Sequence, residues 1–283
     1  MGQCLMRASE RIAAGYFLYV AILTASFHLH ATAIFTAFAF TAIVWALIVF
    51  FSRFANGRSY TRDLIPLGYT FLAYREMDLF TPNHHVRELE QSWIVWDRQL
   101  LDGAHFRDAI ESFGVLLPGF FELCYALVYA VAVVAIAAIF LNLRRDRIDL
   151  FWIAYLTGTL GAYALFPFFL SEPPRVVFPD SDLPRITTLI RDFNLFIVGG
   201  YGIHSSVFPS AHVSSAMSAA WGLLTAIPNR RWIGWSMAIY GVMVAIATIY
   251  GRYHYAVDVL AGTGVSLVAL IVVRLAARHN QPR

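Results

Sequence analysis

No lysine occurs anywhere in the 283-residue chain, and charged side chains make up only 14% of it. So few charged groups cannot cover the surface of a water-borne fold, which excludes an ordinary soluble domain. The formal net charge of +3 rests on Arg alone, and those residues lie scattered between apolar runs instead of forming a stripe. That distribution excludes a nucleic-acid partner. Cysteine is nearly absent as well: Cys4 and Cys124 build no disulfide framework and have no metal-ligand spacing to each other. Both read as structural filler.

What is present is apolar. Hydrophobic residues make up 59% of the chain, with a mean hydropathy of +0.61. They gather into runs of roughly 20, the length that crosses the hydrocarbon core as a helix, rather than into the alternating segments of a membrane barrel. Apolar windows fall at 12–28, 31–51, 114–141, 150–170, 209–227, 232–250 and 256–277. Residues 7–33 imitate a signal peptide, but a second apolar run follows at once, so a retained helical hairpin is expected.

The loops give an orientation. Arg144, Arg145 and Arg147 follow the third window, Arg230 and Arg231 the fifth, and Arg274 and Arg278 end the last. The positive-inside rule places all three on the cytoplasmic face, and so puts 171–208 and the turn at 251–254 on the other. Arg53, Arg58 and Arg62 also read as cytoplasmic, so one crossing is missing before residue 114, and 64–80 is the candidate. Eight membrane segments are expected. Residues 84–113 are too polar to span. Leu89, Trp93, Trp96, Leu100 and Leu101 recur there at helical spacing among Glu90, Asp97 and Arg98, which suits a helix in the outer interface, either a lid or simply packed on the bundle.

Three segments on that outer face carry chemistry. The first, "FPSAHVSSAM", puts Pro209, Ser210, Ala211 and His212 at the head of a span. Pro and Ser suit a helix start, where free N–H groups and the helix dipole also make an anion site. Capping explains Pro and Ser but not His212. The second, "GRYHYAVDVLAG", separates His254 and Asp258 by one helical turn, so the carboxylate can fix the imidazole tautomer and leave the other nitrogen free. The third, "SEPPRVVFPD", stops a helix with two prolines and holds Arg175 near the membrane surface, where its guanidinium fork could grip phosphate.

Together, in their order along the chain, the segments resemble the type 2 phosphatidic acid phosphatase superfamily of membrane lipid phosphatases and phosphotransferases. That family shows Lys, six residues, Arg-Pro; then Pro-Ser-Gly-His; then Ser-Arg, five residues, His, three residues, Asp. Here "PSAH" matches the second motif with Ala211 for Gly, and "HYAVD" matches the end of the third. The first motif is incomplete, since "EPPR" keeps only Arg175, and Thr248 stands where the third has Arg, with Arg252 closer to His254. This pattern looks most like the inositol phosphorylceramide synthase branch.

The resemblance implies an all-α polytopic bundle with a six-helix catalytic core, an N-terminal hairpin and an interfacial amphipathic helix. Residues 1–63 would be the hairpin and 64–283 the catalytic unit, with the motifs within 171–258. It implies that His254 attacks phosphorus, Asp258 orients it and His212 protonates the leaving oxygen, with no metal or other cofactor. Arg175, Ser210, Ala211 and Arg252 would hold the phosphoryl oxygens, and His204 would touch the headgroup. The substrate would be a phospholipid or lipid phosphate in the bilayer, and the acceptor a polyol or lipid alcohol, or water. A bacterial inner membrane with an outward-facing site is expected. Two further readings are a zinc site built from His212, His254 and Asp258, and a transporter binding an anion at the same helix start. His28, His30, His84, His85, Asp180, Asp182, Arg185, Arg191 and Asp192 read as interfacial or solvated loop residues.

Overall fold

The computed structural model describes residues 6–54, 59–84, 86–179 and 182–279, so Cys4, Arg58, His85 and Asp180 lie outside the described residues. Those residues form helices and no strand, an all-α bundle. A hairpin of α1 (Ala8–Ser26) and α2 (Ala31–Phe54) turns at His28, whose φ of 51° is left-handed. Next come α3 (Tyr60–Glu76), then α4 (Glu88–Arg98) and α5 (Phe106–Glu111) in the polar stretch. A single run holds α6 (Leu116–Leu127) and α7 (Val131–Leu141), and α8 (Ile148–Tyr163) follows. The one-turn α9 (Pro174–Val177) and α10 (Leu189–Tyr201) precede α11 (Ala211–Ala226), α12 (Arg231–Tyr250) and α13 (Ala256–His279).

Every expected window is helical. Five stretches are long and apolar enough to cross a membrane: Ala31–Phe54, Leu116–Leu141, Arg145–Phe168, Pro228–Tyr250 and Ala256–His279. The other three expected segments fall short of that standard, α1 because its first turn carries Ser9, Glu10 and Arg11, α3, which runs on through Met77–Phe80, because it carries Arg62, Asp63, Arg75, Glu76 and Asp78, and α11 because it has only 16 residues. The molecule is an integral membrane helical bundle.

α11 lies at its centre, packed on α7, α8, α12 and α13. Its buried Ser214, Ala216, Ser218, Ala219 and Gly222 let neighbouring backbones come close, as small residues do between membrane helices. At Gly158 of α8 an added Cβ would stand 1.9 Å from Ser218 Oγ, so only glycine fits, and Ser214 Oγ donates to the Gly158 carbonyl at 2.9 Å.

Ion pairs tie one end of the bundle together. Arg62 meets Glu10 at 2.6 Å, while Arg7 and Arg145 meet Asp63 at 2.8 and 2.5 Å. Trp152 Nε1 donates to the Asp63 carbonyl at 2.8 Å, and Arg147 to that of Thr225 at the foot of α11, at 3.1 Å. The other end of α3 reaches the site loops, where Arg75 donates to the Tyr201 carbonyl at 3.2 Å. Its 17 residues therefore run from end to end, roughly 25 Å.

Two segments differ from expectation. In α4 and the turn after it the apolar stripe splits: Trp93 packs on Phe208 and Leu101 is buried, but Trp96 is 59% exposed, while Glu90 and Asp97 are fully buried. The acids turn inward because N–H and guanidinium donors await them on the site loops, and the Trp96 indole is left to the membrane interface. The stretch 171–208, expected as a loop, contains α10. Thr188 caps it by accepting the Arg191 N–H at 3.2 Å, with Leu189, Phe193 and Phe196 outward and Arg191 and Asn194 buried.

Candidate active site

The start of α11 is stapled to the start of α13. Ser210 caps α11, its Oγ accepting the Val213 N–H at 3.4 Å, and its own N–H donates to the Asp258 carbonyl at 2.9 Å. The approach is close enough that a Cβ on Gly262 would stand 2.4 Å from the Ser210 carbonyl oxygen. This docking brings together imidazoles 42 residues apart in sequence: His212 Nδ1 lies 3.1 Å from His254 Nε2.

The hydrogen bonds assign the protons. Asp258 Oδ2 lies 3.2 Å from His254 Nδ1 and also accepts the Tyr255 N–H at 2.9 Å. A carboxylate can only accept, so His254 carries its proton on Nδ1 and has a lone pair on Nε2. The 3.1 Å contact then requires a proton on His212 Nδ1. Burial pushes the His254 imidazole down to about 3, and the Arg175 guanidinium adds to the effect, so the ring is neutral at physiological pH.

Arg175 supplies fixed positive charge. Prolines at 173 and 174 start the single turn of α9, and the Arg175 N–H donates to the Arg252 carbonyl at 3.1 Å, tying the segment that holds Arg175 to the one that holds His254. Its guanidinium sits 5.3 Å from the Tyr253 ring centroid, and among the described residues no carboxylate pairs with it. Arg175, Ala211, His212, Tyr253 and His254 all line one cavity of about 250 Å³. Tyr74, Tyr155, Thr159 and Tyr163 line it as well.

The remaining expected residues stand elsewhere. Ser210 lies behind the cavity as a cap. Arg252 does not line it: fully buried, with a left-handed φ of 63°, it turns away to pair with Asp97 at 2.5 Å. The cause is a carboxylate that α4 presents on the far side of the turn. His204 is exposed and its N–H donates to Asp78 Oδ1 at 3.2 Å, outside the cavity lining. His212 and Asp258 approach opposite nitrogens of His254, so the three cannot converge on one zinc ion.

Behind the site lies a network that sequence reasoning missed. Glu122 of α6 accepts from Arg191 Nη1 at 2.7 Å, Asn194 Nδ2 at 2.8 Å and Tyr253 Oη at 2.7 Å. Tyr253, next to His254, is thereby held in a stack on Tyr125 with centroids 3.7 Å apart, and Tyr125 in turn packs on His212 at 5.1 Å. The available signal was a lone acid inside an apolar run, since such residues are costly to bury without a purpose.

A family described as the PAP2 superfamily matches residues 109–272, more than half of the chain and including all three segments. The chain belongs to the PAP2 superfamily. It is also similar to undecaprenyl-diphosphatase BcrC of Bacillus subtilis (strain 168), being 36% identical over 66 residues. That stretch covers 23% of this chain and 31% of the relative, so the chain spans about a third of the length of the curated protein it matches. No solved structure matches. Within this PAP2 chain, the docking of α11 on α13 joins the second and third family motifs, and α9 brings Arg175 to them.

Proposed function

We propose that this PAP2 protein is a membrane lipid phosphatase or phosphotransferase that cleaves a lipid phosphoester or diphosphate through a phosphohistidine on His254. The observation that carries the reading is the Asp258–His254–His212 chain, whose two imidazoles line one cavity with Arg175, a guanidinium that no carboxylate among the described residues pairs with. A substrate phosphoryl group replaces the contact between the imidazoles. The His254 Nε2 lone pair forms the N–P bond, the P–O bond to the lipid breaks, and His212 gives its Nδ1 proton to the leaving oxygen. The negative phosphate itself favours protonated His212 despite burial. Asp258 stabilises the charge that develops on His254, and Arg175 with the N–H groups at the head of α11 stabilises the phosphoryl oxygens. Water then attacks phosphorus, returns its proton to His212, and the N–P bond breaks to release phosphate. No metal enters the scheme, because fixed positive charge and positioning carry much of phosphoryl transfer.

Transfer to an alcohol is a second reading. The "PPR" and "HYAVD" pattern favours it, as do Tyr74, Tyr155, Thr159 and Tyr163 in the cavity lining, residue types able to hydrogen-bond a polyol acceptor. Residues 64–283 then form the catalytic unit and 1–63 an accessory hairpin. The distribution of Arg favours a site on the non-cytoplasmic face of a bacterial inner membrane.

The test incubates the purified protein with phosphatidic acid, farnesyl diphosphate and phosphatidylinositol, with and without added inositol or ceramide, and identifies the products. His254→Ala should abolish both turnover and the acid-labile protein phosphate, with folding intact. An undiminished rate would end the assignment, and a new phosphodiester in place of free phosphate would decide for transfer.

A further inference from the structure

The buried face of α4 touches all three segments that build the site. Glu90 Oε1 accepts the Glu172 N–H at 2.9 Å, shortly before Arg175. Trp93 stacks on Phe208, just before the cap of α11, with centroids 5.2 Å apart, and meets Tyr255 edge-on at 5.6 Å. Asp97 uses both oxygens: Oδ2 takes Arg252 Nη1 at 2.5 Å and Oδ1 takes the Ala256 N–H at 2.9 Å. These three contacts fall on one helical face.

The third matters most for chemistry. Arg252 and Ala256 flank His254 at equal distance along the chain, so one carboxylate grips both sides of the turn that aims the imidazole. Arg252 adopts a left-handed backbone, unfavourable for a residue with a Cβ, and its Nε and Nη2 make no hydrogen bond among the described residues. The Asp97 pairing is the one side-chain hydrogen bond on this guanidinium among the described residues, with Asp182 Oδ2 farther off at 4.0 Å from Nη2, while the Arg252 N–H donates to the Ile249 carbonyl at 3.2 Å. Ala256 begins α13, whose first turn carries Asp258, so the same grip sets the partner of His254 Nδ1.

We propose that Asp97 is a positioning residue for His254, and that α4 is a fixed clamp across the three site loops. The proposal rests on the phosphohistidine reading above. Asp97 never meets substrate, since it lies behind the turn and does not line the cavity. It acts through Arg252 and Ala256, keeping Nε2 in line for attack.

Asp97→Asn tests it. The amide keeps an acceptor for the Ala256 N–H and removes the charge opposite Arg252. With dioctanoyl phosphatidic acid and farnesyl diphosphate in micelles, kcat should fall about tenfold to a hundredfold, as misplacement of a reacting group does, while KM stays within about twofold. Orthovanadate, which takes up the five-coordinate geometry of phosphoryl transfer, should bind correspondingly more weakly. Asp97→Asn combined with Arg252→Gln restores a neutral hydrogen-bonded pair and should recover kcat to within about threefold of the wild type. A merely structural role would lower the melting temperature and leave kcat per folded molecule unchanged. Wild-type kcat and vanadate affinity in Asp97→Asn, with His254→Ala inactive, would overturn the clamp alone. An active His254→Ala, or a wild-type protein that neither binds vanadate nor releases phosphate, would remove the functional reading beneath it. If Asp97→Asn does not fold, Asp97→Glu, which displaces both acceptors by one methylene, takes its place, and normal kcat there overturns the proposal equally.

Discussion

Glu122→Ala asks whether the network behind the site holds the catalytic turn in shape. The carboxylate is 3% exposed and accepts from Arg191, Asn194 and Tyr253 at 2.7, 2.8 and 2.7 Å. Alanine removes all three hydrogen bonds at once. A buried donor left unpaired costs about 1–3 kcal/mol, and a buried ion pair stripped of one partner about 3–5 kcal/mol. These losses overlap, because Arg191 keeps the Gly251 carbonyl at 3.1 Å and Asn194 keeps the backbone carbonyl of residue 122 at 2.9 Å. The stranded guanidinium therefore dominates, and the total should be about 3–5 kcal/mol, a large part of the roughly 5–15 kcal/mol that holds a typical fold. Glu122→Gln keeps the shape and one acceptor oxygen and should cost about 1–3 kcal/mol. Thermal unfolding in detergent micelles should rank wild type, Gln and Ala in that order, and adding Arg191→Met to Glu122→Gln should regain most of the loss. Because Tyr253 lies beneath Arg175, folded Glu122→Gln should also show KM raised more than kcat lowered. An Ala variant that melts with the wild type, or a double variant no better than Gln alone, would refute the reasoning.

Three shorter predictions follow from the site. His212→Ala should slow lipid-phosphate turnover by about 10²–10⁴-fold, but far less for p-nitrophenyl phosphate, whose leaving group needs no proton; equal losses on both would deny His212 its acid role. Gly262→Val should separate α13 from α11, since its Cβ already falls 2.4 Å from the Ser210 carbonyl, and orthovanadate affinity should fall at least about tenfold. The acid limb of kcat/KM should lie well below pH 6.5. A depressed pKa keeps His254 unprotonated as pH falls through that value, and protonation of Nε2 removes the nucleophile only near pH 3; a limb at 6.5 would contradict it.

The helices were legible because membrane spans announce themselves by length and apolarity, and each window of the sequence became a helix. His212, His254, Asp258 and Arg175 were legible because ionisable residues are rare in such a chain and stood out at the ends of spans. Arg252 and His204 were drawn into the site by proximity in sequence, which says nothing of side-chain direction; Arg252 turns away to Asp97 and His204 to the surface. The inward acids of α4 went unread because helical spacing marks an apolar stripe and says nothing of the N–H and guanidinium donors that two distant loops bring to Glu90 and Asp97.

Sequence alone determined that this chain lives in a membrane as helices and singled out two imidazoles at the ends of spans, since both follow from which residues a bilayer tolerates and where. It could not decide which nitrogen meets which partner, or that α4 packs its acids against the turn that carries His254. Those depend on contacts between residues far apart in the chain, set by how closely small-residue helices pack and by where buried charges find their opposites.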